Sequence, residues 1–318
     1  MSLELKFILF QILIIAPFGA GSFLRPRLKN PQALSKRVIT TNLVAVEPFV
    51  VLWSIWGLSL KSEFFIMPLA GLMLVGAGFM LGRFAAPVLK LKGSGRTTYI
   101  ISSSLANHGF TMGGFLCYLF GGLDGLGLSA IFLIYFLPFT FLFIFPYAGM
   151  AGSGKSVKSL FAWQVFREFF ITFRNMPLYA SIAALVLQGM SVPRPGINFP
   201  ADLFLMTAIG LYYFSLGINF RFSDIRSVGF EQVTMAVSKF LVLPLLTWLF
   251  LQAVDFSAPV ESVILLQSFM PAAIYSVLSS ILFDLDVPMA SAIFVVNTLL
   301  FIFVVLPVLF LLSGVVFF

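Results

Sequence analysis

Two short polar clusters interrupt long apolar stretches and hold most of the side chains with chemical capacity. The clusters comprise Asn107, His108, Gly109, Gly113 and Gly114, and then Gln267, Ser268 and Pro271. Glycine and proline interrupt helices, and a helix that restarts after a break carries unpaired N–H groups and roughly half a positive charge at that end. Two such ends that converge would bind an anion without a buried lysine. The neighbouring amide, imidazole and hydroxyl groups would orient the bound anion.

A carboxylate inside a third apolar stretch is the next costly feature. Glu47 precedes Pro48, and burying its charge without a partner costs several kcal/mol. The functional interpretation is a group that couples transport to protons or cations, because ionisable groups inside membranes are usually functional. The alternative is a protonated glutamate hydrogen-bonded to a neighbouring helix. We expect Asn297 and the adjacent Tyr212 and Tyr213 to face a cavity at the two polar clusters, with Tyr213 as the site residue and ordinary helix packing as the alternative. We expect Lys239 to snorkel to the cytoplasmic end of its helix.

Cysteine and histidine usage excludes several kinds of site. Cys117 and His108 are the only residues of their types, so neither an internal disulfide nor a metal cluster of cysteines or histidines can form. No serine–histidine–acid set and no paired aspartates occur in the apolar stretches. We therefore expect no catalytic site, no metal and no cofactor.

The composition is that of a protein that spans a bilayer. Hydrophobic residues make up 60% of the 318 residues, charged residues 10%, and the mean hydropathy is +1.06. A membrane helix needs roughly 20 residues, so the chain holds about ten spans. The predicted spans are 7–24, 38–60, 64–89, 98–120, 125–149, 176–193, 200–219, 232–254, 259–282 and 287–316.

The basic residues indicate the topology. Fifteen of the nineteen lysines and arginines fall in or beside the odd-numbered loops. Positive charge stays on the cytoplasmic side, so we expect both termini on the opposite side of the plasma membrane, or of a bacterial inner membrane. The net charge of +7 is accordingly a topology signal and does not predict nucleic-acid binding.

The longest polar stretch divides the predicted spans into five and five. Residues 1–150 would form one five-helix repeat, residues 151–175 a cytoplasmic linker, and residues 176–318 a second, inverted repeat. The two polar clusters lie about 14–18 Å deep in the fourth and ninth spans, near the middle of a core of about 30 Å. We therefore predict an all-α polytopic membrane protein with ten transmembrane helices, in which discontinuous fourth and ninth helices cross at mid-membrane.

One apparent nucleotide motif lies out of context. Residues 149–156 fit the phosphate-loop pattern GxxxxGK[ST]. That loop needs a preceding buried strand and an α/β domain, whereas here a membrane span precedes it and the whole connection is about 25 residues. We expect a linker and no bound nucleotide.

At the two polar clusters and in the predicted eighth span, the chain resembles the auxin efflux carrier family, a PIN-like group related to the bile-acid sodium symporters. The motif Ala106-Asn107-His108-Gly109-Phe110-Thr111-Met112-Gly113-Gly114 is similar to the family's fourth-span pattern N-T-G-F-x-G-x-P. Met270-Pro271-Ala272-Ala273 and Lys239-Phe240-Leu241-Val242-Leu243-Pro244 look like its ninth and eighth spans. The resemblance implies ten helices in inverted halves, a substrate site where spans four and nine cross, and a homodimer as one known assembly.

The resemblance also implies what is transported. Family members move small organic anions such as auxin or dicarboxylates, so we expect a secondary transporter of a carboxylate or auxin-like acid. Gly114 replaces the fourth-span proline and His108 stands where a small residue is usual, which leaves the substrate open. One alternative is a sodium-coupled carrier like the bile-acid symporters, of whose ninth-span pattern only Gln267 is present. The other is a membrane sensor that binds a ligand or lipid without moving it.

Overall fold

The computed structural model describes residues 3–110, 112–151, 171–219 and 229–316, and these residues form helices without any strand. The α-helices, in chain order, are α1 Leu3–Leu24, α2 Pro31–Ala45, α3 Glu47–Trp56, α4 Met67–Val88, α5 Gly93–Ser104, α6 Gly113–Phe132, α7 Phe136–Phe139, α8 Phe145–Ala151, α9 Met176–Gly189, α10 Ala201–Asn219, α11 Phe230–Val237, α12 Leu243–Leu251, α13 Ala258–Ser268, α14 Ile274–Leu282, α15 Val287–Leu300 and α16 Leu306–Val316. Short 3-10 turns cover Arg25–Arg27, Ser62–Ile66, Leu133–Tyr135 and Phe173–Asn175.

Six stretches of the described chain are long and apolar enough to cross a bilayer. They are Pro31–Trp56, Ser62–Val88, Gly113–Met150, Ala201–Asn219, Phe230–Leu251 and Val287–Leu312. The four other predicted spans differ in form. The segment 7–24 lies within α1, which has 22 residues, and α9 is apolar but has only 14 residues. The segments predicted at 98–120 and 259–282 are each interrupted. The predicted span 125–149 lies within the stretch Gly113–Met150, where Gly122 breaks the helix with a φ of +61°.

Three helices widen by one residue just before a proline. π-helical turns cover Thr140–Ile144, Ser238–Val242 and Phe301–Val305, and a proline follows two residues after each turn, at Pro146, Pro244 and Pro307. Proline lacks the N–H that would bond to the carbonyl four residues earlier, and its ring clashes with that carbonyl. A local π turn relieves the clash while the helix continues.

The described residues fall into two compact units. Unit 1 takes Met1–Lys61, Gly109–Ile131 and Ile171–Arg221, and unit 2 takes Ser62–His108, Phe132–Phe170 and Phe222–Phe318. Each unit therefore draws on both halves of the sequence. Most of the predicted linker 151–175, and the phosphate-loop-like motif from Gly152 onward, lie outside the described residues.

Unit 1 is held together by a close crossing of α1 and α10. A Cβ atom added at Gly217 would lie 2.1 Å from the Phe18 carbonyl oxygen, and one added at Gly21 would lie 2.2 Å from the Phe214 carbonyl oxygen. Only glycine permits such backbone contact. The Ser22 hydroxyl also donates to the Gly217 carbonyl at 3.2 Å.

Unit 2 uses a similar device between α4 and α5. A Cβ atom at Gly78 would lie 2.5 Å from the Ser103 carbonyl oxygen. The hydroxyls of Ser103 and Ser104 donate to the carbonyls of Gly78 (2.7 Å) and Val75 (2.9 Å). These bonds anchor α5, which carries the first polar cluster at its end, against α4.

Candidate functional site

Two helices of unit 2 stop short, and their extended continuations pair with each other. Helix α5 ends at Ser104, and α13 ends at Ser268. The Asn107 N–H donates to the Pro271 carbonyl at 2.8 Å, and the Ala273 N–H donates to the Leu105 carbonyl at 3.1 Å. Ala106 and Ala272 thereby form an isolated antiparallel bridge. Neither predicted segment is thus a continuous helix, and the two breaks are in direct contact.

The local sequence explains why the helices end there. Pro271 has no N–H to donate, and its ring disfavours the helical conformation at the residue before it. The Met270 N–H closes the last turn by donating to the Gln267 carbonyl at 3.3 Å. On the other segment Leu105 is extended, with φ −76° and ψ 128°. The backbone groups freed by one break are satisfied by those freed by the other, as buried polar groups require.

Side chains of the predicted site residues surround this bridge in unit 2. The Gln267 amide donates to the His108 carbonyl at 3.3 Å, which ties the end of α13 to the residue that follows the bridge. Ser268 donates within its own helix, to the Leu265 carbonyl at 2.6 Å. The Asn107 side chain is partly exposed, whereas those of His108, Gln267 and Ser268 are buried. The structure therefore brings Asn107, His108, Gln267, Ser268 and Pro271 together.

His108 is held by aromatic residues rather than standing alone in a cavity wall. Its Nδ1 lies 2.5 Å from the Tyr135 hydroxyl, and its ring packs edge-on against Phe132 with the ring centroids 5.4 Å apart. Its Nε2 is buried and has no hydrogen-bond partner among the described residues. The hydrogen bond to Tyr135 fixes the orientation of the ring.

The helix that restarts after Pro271 supplies a positive end. Helix α14 begins at Ile274, and no side chain caps it at Ala273, whose backbone is extended. The first N–H groups of a helix have no partner inside the helix. Together with the helix dipole they favour a negatively charged group at this position.

The glycines of the first cluster lie in unit 1 and form a tight turn. The Gly109 carbonyl accepts hydrogen bonds from the N–H groups of Met112, at 3.2 Å, and Gly114, at 3.0 Å. Helix α6 begins at Gly113. Two of the donors at the start of α6 are therefore already used within this turn.

Glu47 has a defined partner in unit 1. The helix breaks at Val46, where φ is −123° and ψ is −62°, and restarts at Glu47 with Pro48 in its first turn. Glu47 is only 6% exposed, and one of its carboxyl oxygens accepts a hydrogen bond from the Tyr212 hydroxyl at 2.5 Å. Tyr213, the predicted site residue next to Tyr212, is buried, and its hydroxyl has no partner among the described residues.

Lys239 lies in the interior of unit 2, away from its predicted position. The prediction that it snorkels to the cytoplasmic end is wrong, because the side chain is 1% exposed and its ammonium donates to the Leu105 carbonyl at 3.3 Å. The only signal in the sequence is the distance of Lys239 from the predicted helix end. That signal does not include the rotation of the helix, which turns Lys239 toward the bridge.

Comparison with known proteins identifies the family. A search of curated proteins found no match. Residues 8–309, nearly the whole chain, match the family described as membrane transport protein. With its apolar helices, the chain is an integral, multi-pass membrane protein. The chain belongs to this membrane transport protein family, the family of auxin-efflux-carrier and PIN-like transporters that its motifs resemble.

Proposed function

We propose that this membrane transport protein is a secondary transporter that moves a small organic anion, such as a carboxylate or an auxin-like acid, by alternating access. The backbone bridge between residues 105–107 and 271–273 is the observation that supports the proposal most directly. Interrupted helices in transporters place helix ends and free backbone groups at the substrate. The uncapped start of α14 favours an anion over a cation.

The proposed architecture is the inverted repeat predicted from the sequence. It comprises ten membrane helices, with repeats at residues 1–150 and 176–318 and a cytoplasmic linker between them. Met270 follows Leu105 by 165 residues, an offset close to half the chain. Two breaks at such a spacing, one in each half, are what an inverted repeat would produce. The proposal also places both termini on the non-cytoplasmic side of a plasma or bacterial inner membrane.

The proposed substrate contacts in unit 2 are Asn107 and the start of α14. The Asn107 side chain is the partly exposed polar group beside the bridge, and its amide would donate to a carboxylate. His108, Gln267, Ser268 and Pro271 would position these groups through the contacts described above. In unit 1, Gly109, Gly113, Gly114 and Tyr213 remain predicted site residues, and Glu47 is the proposed proton-responsive group. A homodimer in the lipid bilayer is the proposed assembly, with no nucleotide bound.

Counterflow in proteoliposomes tests the proposal. A panel of radiolabelled organic anions is offered with and without a pH gradient, using wild type, Asn107→Ala and the surface control Asn198→Ala. Losing one hydrogen bond to a charged group costs about 1.5–3 kcal/mol, so we expect Asn107→Ala to raise the half-saturating concentration by roughly ten- to hundredfold. Asn198 is exposed, and its variant should behave as wild type.

The same experiment separates the alternatives. Unchanged counterflow in a folded Asn107→Ala variant would contradict the assigned site. Transport that needs a sodium gradient would indicate the sodium-coupled carrier. Saturable binding without any counterflow would indicate a ligand or lipid sensor on the same scaffold.

A further inference from the structure

A buried lysine stands at the helix break of unit 2. Lys239 lies in the π turn Ser238–Val242 and is 1% exposed. Its ammonium has three donors, and within the described residues its hydrogen bond goes to the Leu105 carbonyl. No carboxylate of the described residues forms an ion pair with it. A basic side chain is therefore built into the interior of this unit without a matching acidic side chain in the described part of the chain.

The carbonyl that Lys239 contacts is at the negative end of a helix. Leu105 follows the last residue of α5, and the last carbonyls of a helix carry roughly half a negative charge. The same oxygen already accepts the Ala273 N–H across the bridge. In transporters with broken helices, such carbonyls and helix ends coordinate the coupling sodium ion or proton. The ammonium of Lys239 thus occupies the kind of position that a free cation takes elsewhere.

The packing of two helices indicates that Asn297 lies at about the same depth in unit 2 as Lys239. Met235 and Ile293 belong to one packed cluster, and the rings of Phe240 and Phe301 are 6.2 Å apart. Lys239 comes four residues after Met235, and Asn297 comes four residues after Ile293. Each therefore lies about one turn farther along its own helix, between the two contacts just described.

The groups at this level have unused bonding capacity. Asn297 is fully buried, and both polar atoms of its amide lack a partner within the described residues. The hydroxyls of Thr298, which follows Asn297 in the chain, and of Ser102, three residues before Leu105, are also buried and lack a partner there. Neutral oxygens of this kind are suitable ligands for an ammonium or a small cation.

We propose that Lys239 is a tethered cation that fills the position of a free coupling ion at the helix break, so that the protein binds and needs no sodium there. The role of Lys239 as a substitute for a coupling ion rests on the proposed transport function, whereas its place in a cation position does not. Removing the ammonium should therefore create a vacancy that a small cation from solution can fill.

Thermal unfolding of the purified protein in detergent tests this without any substrate. Wild type, Lys239→Ala, Lys239→Met and the exposed control Lys92→Ala are compared in equal concentrations of sodium, choline and n-propylammonium chloride. Lys239→Ala leaves a space that n-propylammonium matches in length, whereas Lys239→Met fills it with an uncharged chain. We expect sodium or n-propylammonium to raise the Tm of Lys239→Ala by about 4 °C or more over choline, and to leave the other three proteins unchanged.

Two results would overturn the proposal. One is a sodium-specific rise in the wild-type Tm as large as that of Lys239→Ala, about 4 °C or more, which would show that the response does not come from the vacancy left by the ammonium. The other is an equal response of Lys239→Ala and Lys239→Met to every salt. Should Lys239→Ala not fold, Asn297→Asp and the similarly sized Asn297→Leu decide instead. The new carboxylate would stabilise the ammonium of Lys239, so Asn297→Asp should have a higher Tm than Asn297→Leu. A lower Tm for Asn297→Asp would contradict the proposed cation position. A failed transport assay would affect none of these readings.

Discussion

Replacing Tyr135 by phenylalanine should destabilise the protein by withdrawing the partner of His108. The Tyr135 hydroxyl lies 2.5 Å from His108 Nδ1, and the histidine is 1% exposed. Water has little access to the ring, so the nitrogen would stay unpaired in the variant. Its other nitrogen already has no partner among the described residues.

The size of the effect follows from that burial. Leaving a buried polar group unsatisfied costs about 1–3 kcal/mol. For a domain of 150–250 residues, each kcal/mol shifts Tm by about 2–4 °C. We therefore expect Tyr135→Phe to lower the Tm by about 2–12 °C, since the ring packing against Phe132 and Phe136 is retained in the variant.

Tyr99→Phe is the matched control. Tyr99 is also fully buried in unit 2, but its hydroxyl has no partner among the described residues. Removing an unpaired buried hydroxyl should leave the Tm unchanged or raise it. Adding His108→Leu to each variant completes a double-mutant cycle, in which Tyr135 and His108 should couple by about 0.5–3 kcal/mol. Equal losses in the two phenylalanine variants, or a coupling energy of zero, would refute this account of the site.

Two further predictions concern unit 1. Gly217→Ala should lower the Tm, because the new Cβ would lie 2.1 Å from the Phe18 carbonyl oxygen and overpacking costs about 1–3 kcal/mol. Gly210→Ala in the same helix should leave the Tm unchanged, since its Cβ would meet only side-chain atoms of Leu13, at 3.7 Å, and Pro17, at 3.9 Å. Equal unfolding curves of the two variants would count against the close crossing. Under the proposed function, Glu47→Gln should abolish the effect of a pH gradient on initial transport rates while counterflow continues. A gradient effect that persists in that variant would remove Glu47 from the coupling step.

The sequence predicted the helix break well where a residue's own chemistry dictates the backbone. Pro271 cannot continue a helix with ordinary hydrogen bonds, so a break in that segment follows from its identity. The π turns before Pro146, Pro244 and Pro307 have the same local cause, although they were not among the predicted features.

The sequence was less informative where the outcome depends on how a helix is rotated. Tyr212 and Tyr213 are adjacent, so they point about 100° apart on a helix, and only packing decides which one meets Glu47. Both tyrosines are predicted to face the cavity, with Tyr213 as the site residue, and in the structure Tyr212 makes the hydrogen bond to Glu47. Lys239 was misplaced for the same reason. Hydropathy and depth give the position of a residue along a helix axis but not its direction around it.

The bridge between Ala106 and Ala272 also constrains how the chain can be made. Ala272 is synthesised 166 residues after Ala106, which at about 5–20 residues per second takes roughly 8–33 s. Throughout that interval the Leu105 carbonyl and the Asn107 N–H lack their final partners. Bare peptide groups are unfavourable in lipid, so the nascent first half must keep this stretch in contact with water, the insertion machinery or a provisional helical turn until the later segment arrives. Biogenesis of the protein should therefore be most sensitive to interruption while residues 107–271 are being translated.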